Sequence, residues 1–234
     1  MKISILTLFP QMFQGPFSQS IIKQAVAKQA ATINFINIRD FGIGRHRVVD
    51  DTPYGGGIGM VMRVDVLKSA LDATRDHNLK PQEEKVILMT ADGKTYNQRI
   101  AESYTKVKHL IIICGHYEGV DERMRTFVDE EISLGDFVLT GGEIPAMLIV
   151  DSVIRLIPGV LKPGVTSAES FSHKKDGSYL LEYPLYTKPQ SFVGMDVPDI
   201  LLSGNHKKID EWREAQTLKR TGTRRPDLIK DQNR

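Results

Sequence analysis

The chain has 234 residues, 41% of them hydrophobic and 26% charged, which suits one large domain or a medium domain with a small companion and excludes general disorder. Its single cysteine, Cys114, excludes an internal disulfide, no apolar run is long enough to span a bilayer, and the amino terminus lacks a signal-peptide layout, so a cytoplasmic, reducing location is expected. The formal charge of +2 conceals a split: Ser203 to Arg234 holds nine Lys or Arg against five Asp or Glu, and residues 1–202 are slightly acidic, the footprint of a nucleic-acid-binding tail or of a plain solvated helix.

In chain order, Ile3 to Phe9, Ile33 to Ile38, Val86 to Thr90 and Leu110 to Cys114 are short Ile-, Leu- and Val-rich runs that predict buried parallel strands. Ile132 to Leu134 is expected as a fifth. Helix-period stretches alternate with them: Ser20 to Ala30, then Val64, Leu67, Leu71 and Thr74 on one face, then Gln98 to Val107. This alternation predicts an α/β fold. Gly142 to Ile157 is strongly apolar, with Pro145 tolerable in a first helical turn, and reads as a helix that is half-buried or at an interface. After Pro158 the Gly and Pro content rises and periodicity fades, which places a domain linker there. Ile209, Trp212, Ala215 and Leu218 then recur at three-residue spacing, predicting an amphipathic helix capped by Ser203 or Asn205, with Trp212 as a core anchor.

Three loops carry the chemistry. Tyr54 to Met60 holds four glycines in five positions, which suits either a flexible loop or close approach of backbone amides to a ligand. It is not a phosphate loop, since no Gly-Lys-Ser/Thr follows, and Gly57-Ile58-Gly59 is followed by Met60, Val61 and Met62, not by the dinucleotide spacing. A nicotinamide-dependent oxidoreductase is thereby excluded. Cys114 to Arg123 directly follows a strand, and Ile132 to Pro145 follows the next, so both fall where open α/β sheets bind ligands. Their glycines, with Tyr117 and Phe137 as apolar surface and Glu118 and Asp136 as negative charge, suit a cationic cofactor better than a triphosphate. The six histidines (His46, His77, His109, His116, His173 and His206) show no ligand spacing, so no zinc site is expected. Cys114 reads as a buried strand residue.

These strings, with Arg155-Leu156-Ile157-Pro158-Gly159-Val160, Leu180 to Thr187, and Val197-Pro198 through Leu201 to His206 as far as Arg224 to Leu228, resemble the bacterial tRNA (guanine-N1)-methyltransferases that modify guanosine 37 beside the anticodon. The resemblance covers essentially the whole chain. It implies a SPOUT-type parallel sheet with a trefoil knot and a small helical carboxyl-terminal domain, divided as residues 1–160, a flexible linker 161–176, and 177–234. It also implies a homodimer whose active site combines two subunits, S-adenosylmethionine as methyl donor, tRNA as substrate, and a modification that supports reading-frame maintenance. Magnesium is a second candidate cofactor, held loosely through waters.

By the same resemblance, Leu88, Gly115, Tyr117, Glu118, Gly119, Leu134, Gly135, Phe137, Leu139, Gly141, Gly142 and Pro145 form the cofactor-lining set, with Glu118 either facing the cationic end of the methyl donor or serving as a plain rim carboxylate. His46, Asp50 and Tyr54 hold the target nucleotide. Methylating guanine N1 requires a base to remove its proton and a cation to stabilise charge on O6. Arg155 matches the family position for the cation. The base falls at Glu169, where the family usually reads Asp, so the carboxylate moves by roughly 1 Å, a change that can cost on the order of 100-fold in rate. Asp176 is the reserve candidate. Thr90-Ala91-Asp92-Gly93 and Phe137 are further departures from the family's usual residues. In the tail, Lys207, Lys208, Arg213, Lys219, Arg220, Arg224 and Arg225 are placed to neutralise phosphates. The rival readings are a non-catalytic RNA-binding relative and a knotted enzyme acting on ribosomal RNA.

Overall fold

A computed structural model describes residues 1–172 and 174–229, so His173, Lys230 and Arg234 lie outside the described residues. The chain divides into two compact units, Met1–Leu161 and Lys162–Arg234. In order, the first unit contains β1 (Lys2–Thr7), α1 (Gln14–Phe17), α2 (Ser20–Ala27), β2 (Thr32–Asn37), β3 (Asp50–Asp51), β4 (Val61–Met62), α3 (Val64–Thr74), β5 (Glu84–Thr95), α4 (Gln98–Tyr104), β6 (His109–Cys114), β7 (Glu130–Ser133) and α5 (Glu143–Ile154). Five strands form a parallel sheet in the order β2-β1-β6-β5-β7. The predicted strands are all present, but β5 runs on to Thr95, five residues past its expected end, and β2, expected to be buried, is half-buried to exposed because it lies at the sheet edge. The two-residue ladder of β3 with β4 was not expected, being too short to leave a pattern.

The central strands are buried on both faces because alternate residues feed two separate cores. Ile3, Ile5, Ile87, Met89, Leu110 and Ile112 join α2, α4 and α5 on one side. Leu6, Val86, Leu88, Ile111 and Ile113 join α3 on the other. Each fully buried Leu, Ile or Val side chain contributes roughly 1.5–3 kcal/mol, so apolar runs in this register specify the three-layer α/β architecture. At the amino ends of the strands, fully buried His109 is satisfied on both sides, Nδ1 to Glu84 Oε2 at 2.8 Å and Nε2 to Ser4 Oγ at 2.9 Å. Arg75 pairs with the other Glu84 oxygen at 3.1 Å. Burial, with Lys2 nearby, holds the His109 pKa below its ordinary value, against the opposing pull of Glu84 and Asp76.

The second unit is small and polar-stitched. Its β8 (Lys174–Lys175) and β9 (Ser178–Tyr179) form a hairpin whose turn residues Asp176 and Gly177 both have positive φ, +48° and +81°. Asp-Gly is a favoured pair for such a turn, which gives Asp176 a structural reason to be where it is. Then come β10 (Ser191–Phe192), β11 (Met195–Asp196), α6 (Asp199–Leu202) and α7 (His206–Arg224). The Asn205 side chain accepts from Lys208 N–H at 3.2 Å and caps α7. Thr221 Oγ1 donates to the Thr217 carbonyl and accepts from Leu181 N–H at 2.9 Å, tying α7 to the segment that follows β9.

The expected apolar face of α7 is corrected. Its buried residues are Ile209, Thr217 and Thr221, while Ala215 and Leu218 are exposed. A helix has 3.6 residues per turn, so each three-residue step slips by about 60° and Leu218 ends opposite Ile209. Trp212 is half-buried against Tyr186, with centroids 6.4 Å apart, and is no deep anchor.

Candidate active site

Two loops and one bulge meet at the carboxyl ends of β6, β5 and β7. The register of β5 against β7 shifts between Met89 and Lys94, pushing Thr90, Ala91 and Asp92 out of the ladder toward the mouth of the sheet. Bulges commonly re-aim side chains beside sites, and Gly93 permits this one, since a Cβ there would stand 2.6 Å from the Ile132 nitrogen. After β6, the chain passes through Gly115 to Val120. After β7, it loops through Leu134 to Thr140 and returns across β6, where Gly142 N–H donates to the Gly115 carbonyl at 2.8 Å and Gly141 bridges His116.

The result is a cavity of about 490 Å³. Gly115, Tyr117, Glu118 and Gly119 line it from the first loop, Leu134, Phe137 and Leu139 from the second, and Gly141, Gly142 and Pro145 from the start of α5. Two of the expected lining residues are not brought to it. Leu88 is fully buried in the core beneath α3, because period-2 alternation turns Met89, not Leu88, toward the cavity side. Gly135, at φ +147°, shapes the loop from behind, with Phe137 folded over it.

Sequence reasoning missed one feature of this mouth. Arg125, on the cavity wall, gathers three carboxylates: Nε binds Glu122 at 2.8 Å, Nη2 binds Asp92 at 2.9 Å, and Nη1 binds Glu131. The Thr90 hydroxyl also donates to Asp92, and this bond with Arg125 holds the Asp92 carboxyl below its usual range. The partners lie up to 39 residues apart in sequence, so no local motif announces the cluster. His116 also lines the cavity, its ring 5.0 Å from Phe9 and 5.1 Å from Tyr117. Its buried Nδ1 lacks a hydrogen bond and sits 3.9 Å from Glu143, whose other oxygen accepts from Thr7 Oγ1. Cys114 is fully buried, and burial with Glu143 nearby pushes its thiol well above the ordinary value, which suits an inert strand residue.

A second depression of about 840 Å³ lies on the far side of segment 120–123, lined by Asp51, Tyr54, Arg63, Asp65, Asp121 and Arg123 among others. Arg63 is paired with Asp51 and Asp65, and Arg123 with Asp121. Tyr54 is fully exposed and His46 exposed, whereas Asp50 is half-buried in β3. Arg155 is the half-buried C-cap of α5. Glu169 belongs to the second unit, half-buried, its carbonyl accepting from Ser172 N–H. Lys207, Lys208, Lys219, Arg224 and Arg225 are exposed along α7 and its end, and Arg220 is half-buried. Arg213 lies 4.9 Å over Tyr183 and pairs with Asp210, and Arg225 pairs with Asp227. Among the described residues no group of three or more His, Cys, Asp or Glu is placed to hold a metal ion, and no helix is long and apolar enough to cross a membrane.

The cavity's chemistry is that of a site for a small polar molecule with an apolar ring and a cationic end: backbone from four glycines, apolar surface from Tyr117, Phe137 and Leu139, and the carboxylate of Glu118, beside Asp92 and Glu122, which are paired with Arg125. The family model for tRNA (guanine-1)-methyltransferase TrmD matches residues 1–231. Similar curated proteins are the tRNA (guanine-N(1)-)-methyltransferases of Carboxydothermus hydrogenoformans, 54% identical over 98% of this chain and 88% of that one, and Dictyoglomus turgidum, 52% identical over 98% and 90%. The protein of the same description from Bacillus pumilus is 52% identical over 98% and 92%.

Proposed function

Because the chain belongs to the tRNA (guanine-1)-methyltransferase family, we propose that it transfers a methyl group from S-adenosylmethionine to N1 of guanosine 37 in tRNA. The observation that carries the reaction is the match over residues 1–231. The residues of the cavity fit the methyl donor. Gly141 and Gly142 let the loop pack closely on His116 and the end of β6 and so fix the cavity wall, Phe137, Leu139 and Pro145 suit an adenine ring, and Glu118 suits the cationic amino acid end. When bound, S-adenosylmethionine supplies a methyl group activated by a positively charged sulfur.

The chain's own residues then have three tasks. Glu169 takes the proton from guanine N1, freeing its lone pair for attack. Arg155 stabilises the negative charge that spreads to O6 as the proton leaves, an interaction stronger in the transition state than before it. Tyr54, His46 and Asp50 hold the target base, and the cations of α7 neutralise tRNA phosphates. For magnesium, the described residues offer no group of three or more His, Cys, Asp or Glu.

The finer topology belongs to the same proposal. The close return of residues 141–142 onto the end of β6 is compatible with a trefoil knot and supports that reading. The homodimer is supported by α5, which is buried along one side yet leaves Ile144 and Leu148 about half exposed on the other, an apolar pair that a second copy would cover. A two-subunit active site and a cytoplasmic location complete the reading. A non-catalytic RNA-binding relative finds no support in the matches. Labelled methyl transfer to tRNA transcripts carrying guanosine or adenosine at position 37 tests the proposal: label is expected on the first alone, and none on either would overturn it.

A further inference from the structure

Glu118 is exposed, so something must aim its flexible side chain if it is to meet a cationic ligand. The glycine-rich loop runs beside it. Glu118 N–H donates to the Met60 carbonyl, Met62 N–H to the Gly119 carbonyl, and Asp121 N–H to the Met62 carbonyl, each at 3.0 Å. At the head of this ladder, a Cβ on Gly59 would stand 2.4 Å from Glu118 Cγ and 2.5 Å from its Oε1. The carboxylate therefore lies folded against bare backbone at residue 59.

We propose that Gly59 is a positioning residue: its missing side chain is the seat that aims the Glu118 carboxylate into the cofactor cavity, so that the loop between β3 and β4 sets the affinity for a cationic methyl donor. This rests on the reading of Glu118 given above. A methyl at 59 would meet Cγ, Cδ and Oε1 of a flexible, exposed side chain and not backbone, so the fold need not yield. Glu118 swings aside instead, and the loss appears in binding, not in stability. Gly59 also has φ +90°, where any L residue is strained, and that cost must be separated from the contact. Gly56 provides the control, with φ +83° and nothing within 4 Å of its would-be Cβ.

The test measures S-adenosylmethionine affinity by titration calorimetry, with thermal unfolding alongside, on the full-length chain and four variants: Gly56→Ala, Gly59→Ala, Glu118→Gln, and the double Gly59→Ala/Glu118→Gln. Gly59→Ala and Glu118→Gln should each bind roughly tenfold more weakly, the scale of one charge-assisted contact, and the double no more weakly than Glu118→Gln alone. Gly56→Ala should keep wild-type affinity and unfold at the same temperature as Gly59→Ala. If Glu118→Gln weakens binding while Gly59→Ala behaves like Gly56→Ala, the seat is refuted and the role of Glu118 stands. Additive losses in the double variant, or a Gly59→Ala protein that unfolds well below Gly56→Ala, also overturn it. Wild-type affinity in Glu118→Gln removes the underlying reading itself.

Discussion

Replacing Gly142 by alanine tests how the loop after β7 is held against the end of β6. Gly142 has φ −80°, which alanine adopts freely, so the effect is purely one of contact. The added methyl would stand 2.7 Å from Cys114 Cα, 2.9 Å from Gly115 N and 3.0 Å from Met89 Cβ. Favourable carbon contacts begin at about 3.5 Å, so neighbours must part by roughly 0.5–1 Å. Two of the three atoms are backbone of a fully buried strand and its first loop residue, which cannot swing away. Overpacking of this kind costs about 1–3 kcal/mol, or about 2–12 °C in melting temperature for a chain of this size. The displacement also lengthens the 2.8 Å hydrogen bond from Gly142 N–H to Gly115 and opens the cavity, so S-adenosylmethionine affinity should fall as well. Thermal unfolding and calorimetry read the two effects. Gly15→Ala, whose Cβ would meet nothing within 4 Å, should match wild type in both. A Gly142→Ala protein with wild-type melting temperature and affinity would refute the packing argument.

Three further outcomes are expected. The folded-state pKa of His109 lies below its ordinary 6.5, so the unfolded chain binds more protons near that pH. The stability it contributes is complete above about pH 6.5 and is lost as pH falls toward the folded-state value, so denaturation midpoints should drop between neutral pH and pH 5.5, less steeply in His109→Gln; equal slopes would contradict this. Arg125→Met leaves Asp92, Glu122 and Glu131 facing one another, and should lower stability by about 1 kcal/mol and weaken S-adenosylmethionine binding, both read by ligand-dependent thermal shift, with no change in either counting against the cluster. Glu169→Gln should slow single-turnover methylation by roughly 100- to 10,000-fold with tRNA affinity retained, while Asp176→Asn, which suits the Asn-Gly turn, should stay near wild type. The reverse pattern would move the base to Asp176.

The central strands were legible because Ile3 to Leu8 and Leu110 to Cys114 are buried on both faces and so read as unbroken apolar runs. The helix face of α7 was not, since its buried residues include Thr217 and Thr221, the latter held through its hydroxyl to Leu181 N–H and the Thr217 carbonyl, which no hydrophobic period records. The glycine-rich loops marked the cavity, as glycine is needed wherever the backbone crosses closely, at Gly142 above all. What they could not mark is the bulge that delivers Asp92, or the three carboxylates around Arg125, which come together only through the pairing of β5 with β7. Leu88 was misplaced by one residue, which in a strand means the opposite face.

The most direct measurement is nucleoside mass spectrometry of tRNA after incubation with the purified chain and S-adenosylmethionine. The expected product is 1-methylguanosine, confined to position 37 and absent when that base is adenosine. Methyl groups on another atom or at another position, or an unmodified product, would contradict it.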